Sequence, residues 1–151
     1  MKVPKRLLGI DYGSVRIGLA ISDPDRKIAS PLVTYTRRGR AQDADYLAKL
    51  VAEEDIGQIV LGLPIHLSGH ESQSSDHARA FGKWLAELTG LPVLFWDERF
   101  TSVEAEAHLL TAGLTNKRRK SRRDRVAAQI LLQSYLDAGC PEEPRPERLD
   151  H

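Results

Sequence analysis

The sequence predicts a mixed α/β domain: a five-stranded sheet of three antiparallel strands and then two parallel ones, with helices on both faces. Three short apolar runs near the N-terminus are separated only by turns, and such short connections favour antiparallel pairing. Two later apolar runs each follow a segment with helical spacing, as parallel strands do. A plain Rossmann arrangement fits less well, because the first three strands lack crossover helices.

The N-terminal half of the predicted sheet is a three-stranded meander. Residues 6–22 form two strands joined by a tight turn at residues 12–14, where Gly13 permits a positive φ. The third strand covers residues 29–35 and follows the turn-forming segment 23–25.

The rest of the chain alternates helices with short apolar strands. Helices are predicted over 41–54 and 74–88, and strands over 58–61 and 92–96. Thr101-Ser102-Val103-Glu104 matches a capping box, which starts a helix that runs to about residue 111. The last helix covers 124–136, begins at Asp124 and stops at Gly139.

Length and composition limit the classes of protein. The 151 residues suit one domain, predicted over 1–139 and followed by a disordered tail over 140–151. One cysteine excludes an internal disulfide, and no apolar run reaches the ~18 residues of a membrane span. An acidic residue comes too early for a secretory signal. We therefore expect a cytoplasmic protein that does not bind a membrane.

Acidic residues stand at three predicted element ends. Asp11 ends the first strand, Asp97 and Glu98 end the fifth, and Asp124 begins the last helix. Ligand sites in such sheets gather at the carboxyl ends of strands. Clustered carboxylates repel one another unless a cation lies between them, and hard divalent cations take such oxygens. The spacing therefore suggests a metal site for phosphodiester hydrolysis.

Each acid also has a structural interpretation. Asp124 could be only an N-cap, the pair Asp97 and Glu98 could face Arg99 at the surface, and Asp11 could start an Asx turn. Asp11 is the hardest to explain structurally, since it lies between apolar strands.

A basic run precedes Asp124. Residues 117–125 are basic at seven of nine positions, although the formal net charge is only +1. We expect a flexible cationic loop that binds the phosphate backbone of a nucleic acid, with an affinity that falls steeply as the salt concentration rises. A merely solvated loop is the alternative.

Four motifs, in this order, resemble the YqgF/RuvX family: GIDYGSVRIGLAISD, IVLGLPIHLSG, FWDERFTS and RRDRVAAQILLQSYLD. The resemblance extends over almost the whole chain. It implies a ribonuclease H-like fold with the sheet order predicted above. It also implies a metal-dependent nuclease that matures the 5′ end of the small-subunit (16S) ribosomal RNA precursor, or a Holliday junction resolvase acting on branched DNA.

The resemblance implies roles for individual residues. Asp11, Glu98 and Asp124 resemble the catalytic acids that hold Mg²⁺ or Mn²⁺, and Asp97 is the rival of Glu98. Arg16 and Arg99 would touch phosphate or hold the carboxylates in place. The basic side chains expected to bind nucleic acid are Lys117, Arg118, Arg119, Lys120, Arg122 and Arg123.

This chain departs from the family in two places. His66 stands where an asparagine is common, which puts a polar loop contact in doubt. Ser102 stands where a second threonine is common, which is conservative.

Other functions remain open at this stage. Actin-like nucleotide-binding proteins share the Asp-x-Gly hairpin, but they need two such domains. A non-catalytic RNA-binding module is the other alternative, although all three acids are present. A junction resolvase should be a symmetric dimer, and the sequence leaves the oligomeric state and any association with ribosomal particles undecided.

Overall fold

The computed structural model describes residues 5–63, 73–98 and 116–142 of the chain. The strands are β1 (Arg6–Asp11), β2 (Arg16–Ser22), β3 (Ala29–Thr36), β4 (Ile56–Leu63) and β5 (Val93–Asp97). The helices of these described ranges are α1 (Arg40–Glu53), α2 (Gln73–Thr89) and α3 (Asn116–Asp137).

The five strands form one sheet in the order β3-β2-β1-β4-β5. β1 pairs antiparallel with β2, and β2 pairs antiparallel with β3. β4 pairs parallel with both β1 and β5. The prediction of three antiparallel strands and then two parallel ones is confirmed. It succeeded because connection length limits pairing direction: short turns join β1, β2 and β3, whereas α2 lies between β4 and β5.

Both faces of the sheet are covered by helices, as predicted. Successive side chains of β1 point to opposite faces, so Leu8 and Ile10 pack with Leu47 of α1 and Phe81 of α2. Leu7 packs on the other face, in a cluster that includes residues of α3. Within the described ranges, no helix is long and apolar enough to cross a membrane.

The start of the last helix differs from the prediction. α3 begins at Asn116, so Asp124 lies inside the helix and is not its N-cap. The basic run 117–125 is therefore helical, and the prediction of a flexible loop was wrong. Lys and Arg are good helix formers, and no Gly or Pro interrupts residues 116–137.

Several predictions lie outside the described residues. They are the helix over 101–111, the loop with His66 and most of the tail. Near the end of the described chain, the Tyr135 hydroxyl donates to the carbonyl oxygen of Pro141 at 2.9 Å. The division into a domain over 1–139 and a tail over 140–151 stays a prediction.

A buried carboxylate ties α1 to the end of β3. The Asp43 side chain is 3% exposed and accepts hydrogen bonds from the Tyr35 hydroxyl at 2.8 Å, the Arg38 N–H at 2.9 Å and Arg37 Nε at 3.3 Å. Burial alone would raise the pKa of Asp43, but these hydrogen bonds outweigh it and lower that pKa below 3.8.

We expect Asp43→Asn to lower the free energy of unfolding by about 2 kcal/mol at pH 7, because hydrogen bonds to the charged carboxylate are lost. The advantage of wild type is complete above pH 3.8 and disappears as the pH falls through the lowered pKa of Asp43. Urea unfolding between pH 7 and pH 2 measures it, with Asp45→Asn on the exposed side of α1 as the control. A difference independent of pH would contradict this account.

Candidate active site

The β1–β2 hairpin places Asp11 beside α3. Asp11 pairs with Gly18, and alternation along the two strands puts Asp11, Gly18 and Arg16 on the face that α3 covers. Gly9, two residues before Asp11, confirms this direction, because a Cβ on Gly9 would lie 2.8 Å from Leu132 Cβ of α3. Asp11 is thus half-buried at the carboxyl end of a central strand.

Gly18 allows a close approach of α3 to the sheet. A Cβ on Gly18 would overlap the backbone carbonyl of Asp124. Gly18 is the strand partner of Asp11, and only glycine at this position leaves room for Asp124 to lie directly against it. This role of Gly18 was not predicted, although a glycine within an apolar strand is a signal of close backbone approach.

An ion pair joins the hairpin to α3. Arg16 Nε donates to Asp124 Oδ2 at 2.7 Å, and the two side chains are 34% and 16% exposed. Of the two roles expected for Arg16, this contact corresponds to holding a carboxylate in place.

Glu98 lies on the same face of the sheet as Asp11. Trp96 Nε1 donates to Ser134 Oγ of α3 at 3.2 Å, so alternation directs the next residue, Asp97, to the opposite face. Glu98 follows β5, and its Oε1 lies 2.8 Å from where a Cβ on Gly62 would stand. Of the two rivals, Glu98 is therefore the acid on the α3 side.

Two of the three predicted acids share a cavity. An open cavity of about 270 Å³ is lined by Asp11, Asp124 and the hairpin residues between Tyr12 and Arg16. Glu98 lies on the same face but outside this lining. Among the described residues, no three His, Cys, Asp or Glu side chains form a group that could hold a metal ion.

The remaining predicted nucleic-acid contacts are only partly described. Arg122 and Arg123 are exposed on α3, immediately before Asp124. The backbone of residues 117–120 belongs to the same helix. Arg99 lies outside the described residues.

The chain is similar in sequence to known proteins. The family model of RuvX, described as Holliday junction resolvase, matches residues 5–138. A protein of Rhodopirellula baltica named "Putative pre-16S rRNA nuclease" is 49% identical over 133 residues, which cover 88% of this chain and 77% of that protein. A protein of the same name from Rhodobacter capsulatus is 46% identical over 131 residues, or 87% and 82% of the two chains.

Solved structures show the same fold at low sequence identity. Thermus thermophilus RuvC in complex with a Holliday junction substrate has a TM-score of 0.59 and 14% identity, over 91% of this chain and 98% of that one. The fowlpox virus resolvase has a TM-score of 0.56 and 10% identity, over 90% and 99%. The predicted ribonuclease H-like fold and the family resemblance are confirmed, and this chain belongs to the RuvX family.

Proposed function

We propose that this protein is a nuclease that hydrolyses phosphodiester bonds and matures the 5′ end of the small-subunit ribosomal RNA precursor. The observation that carries the proposal is the cavity shared by Asp11 and Asp124 at the carboxyl end of β1. The names of relatives at 41–49% identity support the RNA substrate. Resolution of branched DNA is the second candidate, favoured by the description of the family.

The donor set suits a hard divalent cation. Mg²⁺ in proteins takes one or two carboxylates and completes its shell with water and substrate phosphate, so a group of three acids is not required. Asp11 and Asp124 would supply the carboxylates, with Glu98 on the same face as a third, and we infer Mg²⁺ or Mn²⁺. Such ions, when bound, activate water and stabilise the charge on the transferred phosphoryl group.

The chain's own residues bind and orient the substrate in this proposal. Arg16 holds the Asp124 carboxylate on the hairpin, which keeps α3 and its acid beside Asp11. Arg122 and Arg123 extend a basic helix next to the cavity and would contact the phosphate backbone, with little dependence on base sequence. Because a helix is already ordered, binding through these charges costs less conformational entropy than binding through the flexible loop predicted from the sequence.

We also infer that the protein acts in the cytoplasm and meets its RNA within precursor ribosomal particles. Junction resolution would require a symmetric dimer, because two strands are cut. The oligomeric state in solution is therefore a second criterion for choosing between the two substrates.

The test uses purified full-length protein with three labelled substrates: precursor RNA, precursor RNA in ribosomal particles and a four-way DNA junction. Each is incubated with Mg²⁺, Mn²⁺ or EDTA. We expect metal-dependent cleavage at the 5′ end of the RNA and none in EDTA. Metal-dependent cutting of the junction alone would favour the resolvase. If none of the three substrates is cut, the nuclease proposal is contradicted.

A further inference from the structure

A second, larger cavity opens on the face of the sheet opposite α3. Its volume is about 560 Å³, and it lies between the β1–β2 hairpin, the start of α1 and the exposed side of α2. Its lining includes three aromatic and three basic residues: Tyr12, Phe81, Trp84, Arg37, Arg40 and His77. We call these six residues the stacking pocket.

The aromatic residues form a continuous wall. The ring centroids of Tyr12 and Phe81 lie 5.0 Å apart, and those of Phe81 and Trp84 lie 5.5 Å apart. Phe81 is buried, whereas Trp84 is half-buried and reaches the cavity. The rings are tilted by 51° and 38° to one another, so a planar ring can stack on the accessible part of Trp84.

Arg37 is fixed against this wall. Its guanidinium lies 5.2 Å from the Phe81 ring centroid and 5.6 Å from that of Tyr12. Nη1 donates to the Tyr12 hydroxyl at 3.3 Å and to the Gly13 carbonyl at 3.4 Å, while Nε donates to Asp43. These contacts preorganise a second planar, cationic surface without ligand.

The electrostatics of the cavity favour an anion. Asp43 also lines it, but its side chain is 3% exposed and its carboxylate accepts three hydrogen bonds. Arg40 and His77, in contrast, are exposed at the rim on α1 and α2. A ligand that joins a planar aromatic ring to a negatively charged group satisfies both halves of the lining. A nucleotide has this chemistry.

The stacking pocket adjoins the candidate active site. Tyr12 and Ser14 line both cavities, so the tip of the hairpin separates them. A nucleic-acid strand held at Asp11 can therefore continue over the hairpin to the opposite side of the sheet.

We propose that the stacking pocket binds one unpaired nucleotide of the substrate strand beside the cut. The base stacks on Trp84, and its phosphate contacts Arg40 and His77. This inference rests on the proposed nuclease function for the identity of the strand. A free mononucleotide carries the same chemistry, and the test separates the two sources.

The test measures binding in EDTA, so that cleavage does not interfere. Full-length protein is titrated with a duplex RNA that carries a single-stranded tail, with the blunt duplex and with AMP. We expect the tailed duplex to bind about tenfold more tightly than the blunt one, because stacking of one base on an aromatic side chain contributes about that factor. Trp84→Leu and Arg40→Ala should remove this preference and leave the affinity for the blunt duplex unchanged, whereas Trp84→Phe should largely keep it.

Lys83→Ala is the matched control, since Lys83 is an exposed cation of α2 outside the pocket lining. Arg40 is exposed, so its variant tests the proposal even if Trp84→Leu fails to fold. Equal affinity of wild type for the two duplexes, or a preference that survives in Arg40→Ala, would overturn the proposal. Binding of AMP without a preference for the tail would also overturn it, because the pocket would then take a free nucleotide.

The outcome is separable from that of the nuclease proposal. A preference for tailed RNA in a protein that cuts no substrate would leave the pocket assignment intact and remove only the proposed activity.

Discussion

Asp11→Asn is expected to lower the cleavage rate by about three orders of magnitude or more. The substitution keeps the shape of the side chain but removes its charge. A loss of about 4 kcal/mol of transition-state stabilisation, typical of disturbed metal-ion catalysis, corresponds to such a fall. Initial rates with Mg²⁺ on the best substrate measure it, beside thermal unfolding to establish that the variant folds.

Asp45→Asn is the control for this experiment. It makes the same chemical change at an exposed position of α1 that lines neither of the two cavities, and it should leave the rate unchanged. Full activity of Asp11→Asn would remove the acid from the mechanism. If wild type and Asp11→Asn bound RNA equally well and neither cleaved it, a non-catalytic RNA-binding module would be favoured instead.

Gly18→Ala is expected to have the second largest effect. The new Cβ would overlap the backbone carbonyl of Asp124. The Cβ is held by the strand backbone and the carbonyl by the helix backbone, so neither can rotate away. We expect the free energy of unfolding to fall by about 3 kcal/mol, at the upper end of the cost of overpacking. The cleavage rate should also fall, because α3 moves away from the sheet and carries Asp124 from Asp11. Urea unfolding and initial rates test the two effects.

Gly57→Ala provides a comparison within the same sheet. Gly57 lies on β4, and the atom nearest to a Cβ there would be Cβ of Lys5 at 2.7 Å. Lys5 is exposed and precedes β1, so it can shift more readily than the helix backbone at Asp124. We expect a smaller loss of stability and an unchanged cleavage rate. If Gly18→Ala were no more harmful than Gly57→Ala, the close approach of α3 would not be what places Asp124.

The elements that the sequence predicted well are those with strong local signals. The strands up to residue 36 are short apolar runs bounded by turns, and the two parallel strands are short apolar runs after helices. The start of α3 was missed because Asp124 suits both an N-cap and a helix interior. The residues before it are mostly basic but have good helix propensity, so their charge was a poor guide to a loop.

By itself, the sequence determined the fold class, the family motifs and an aspartate at the end of the first strand. Only the tertiary structure decided which side chains meet. Arg16 and Asp124 are 108 positions apart, and their ion pair depends on the helical register of α3 against β2. The stacking pocket likewise joins the hairpin, α1 and α2. Local propensity carries no information about such contacts, because they arise from packing of elements distant in the chain.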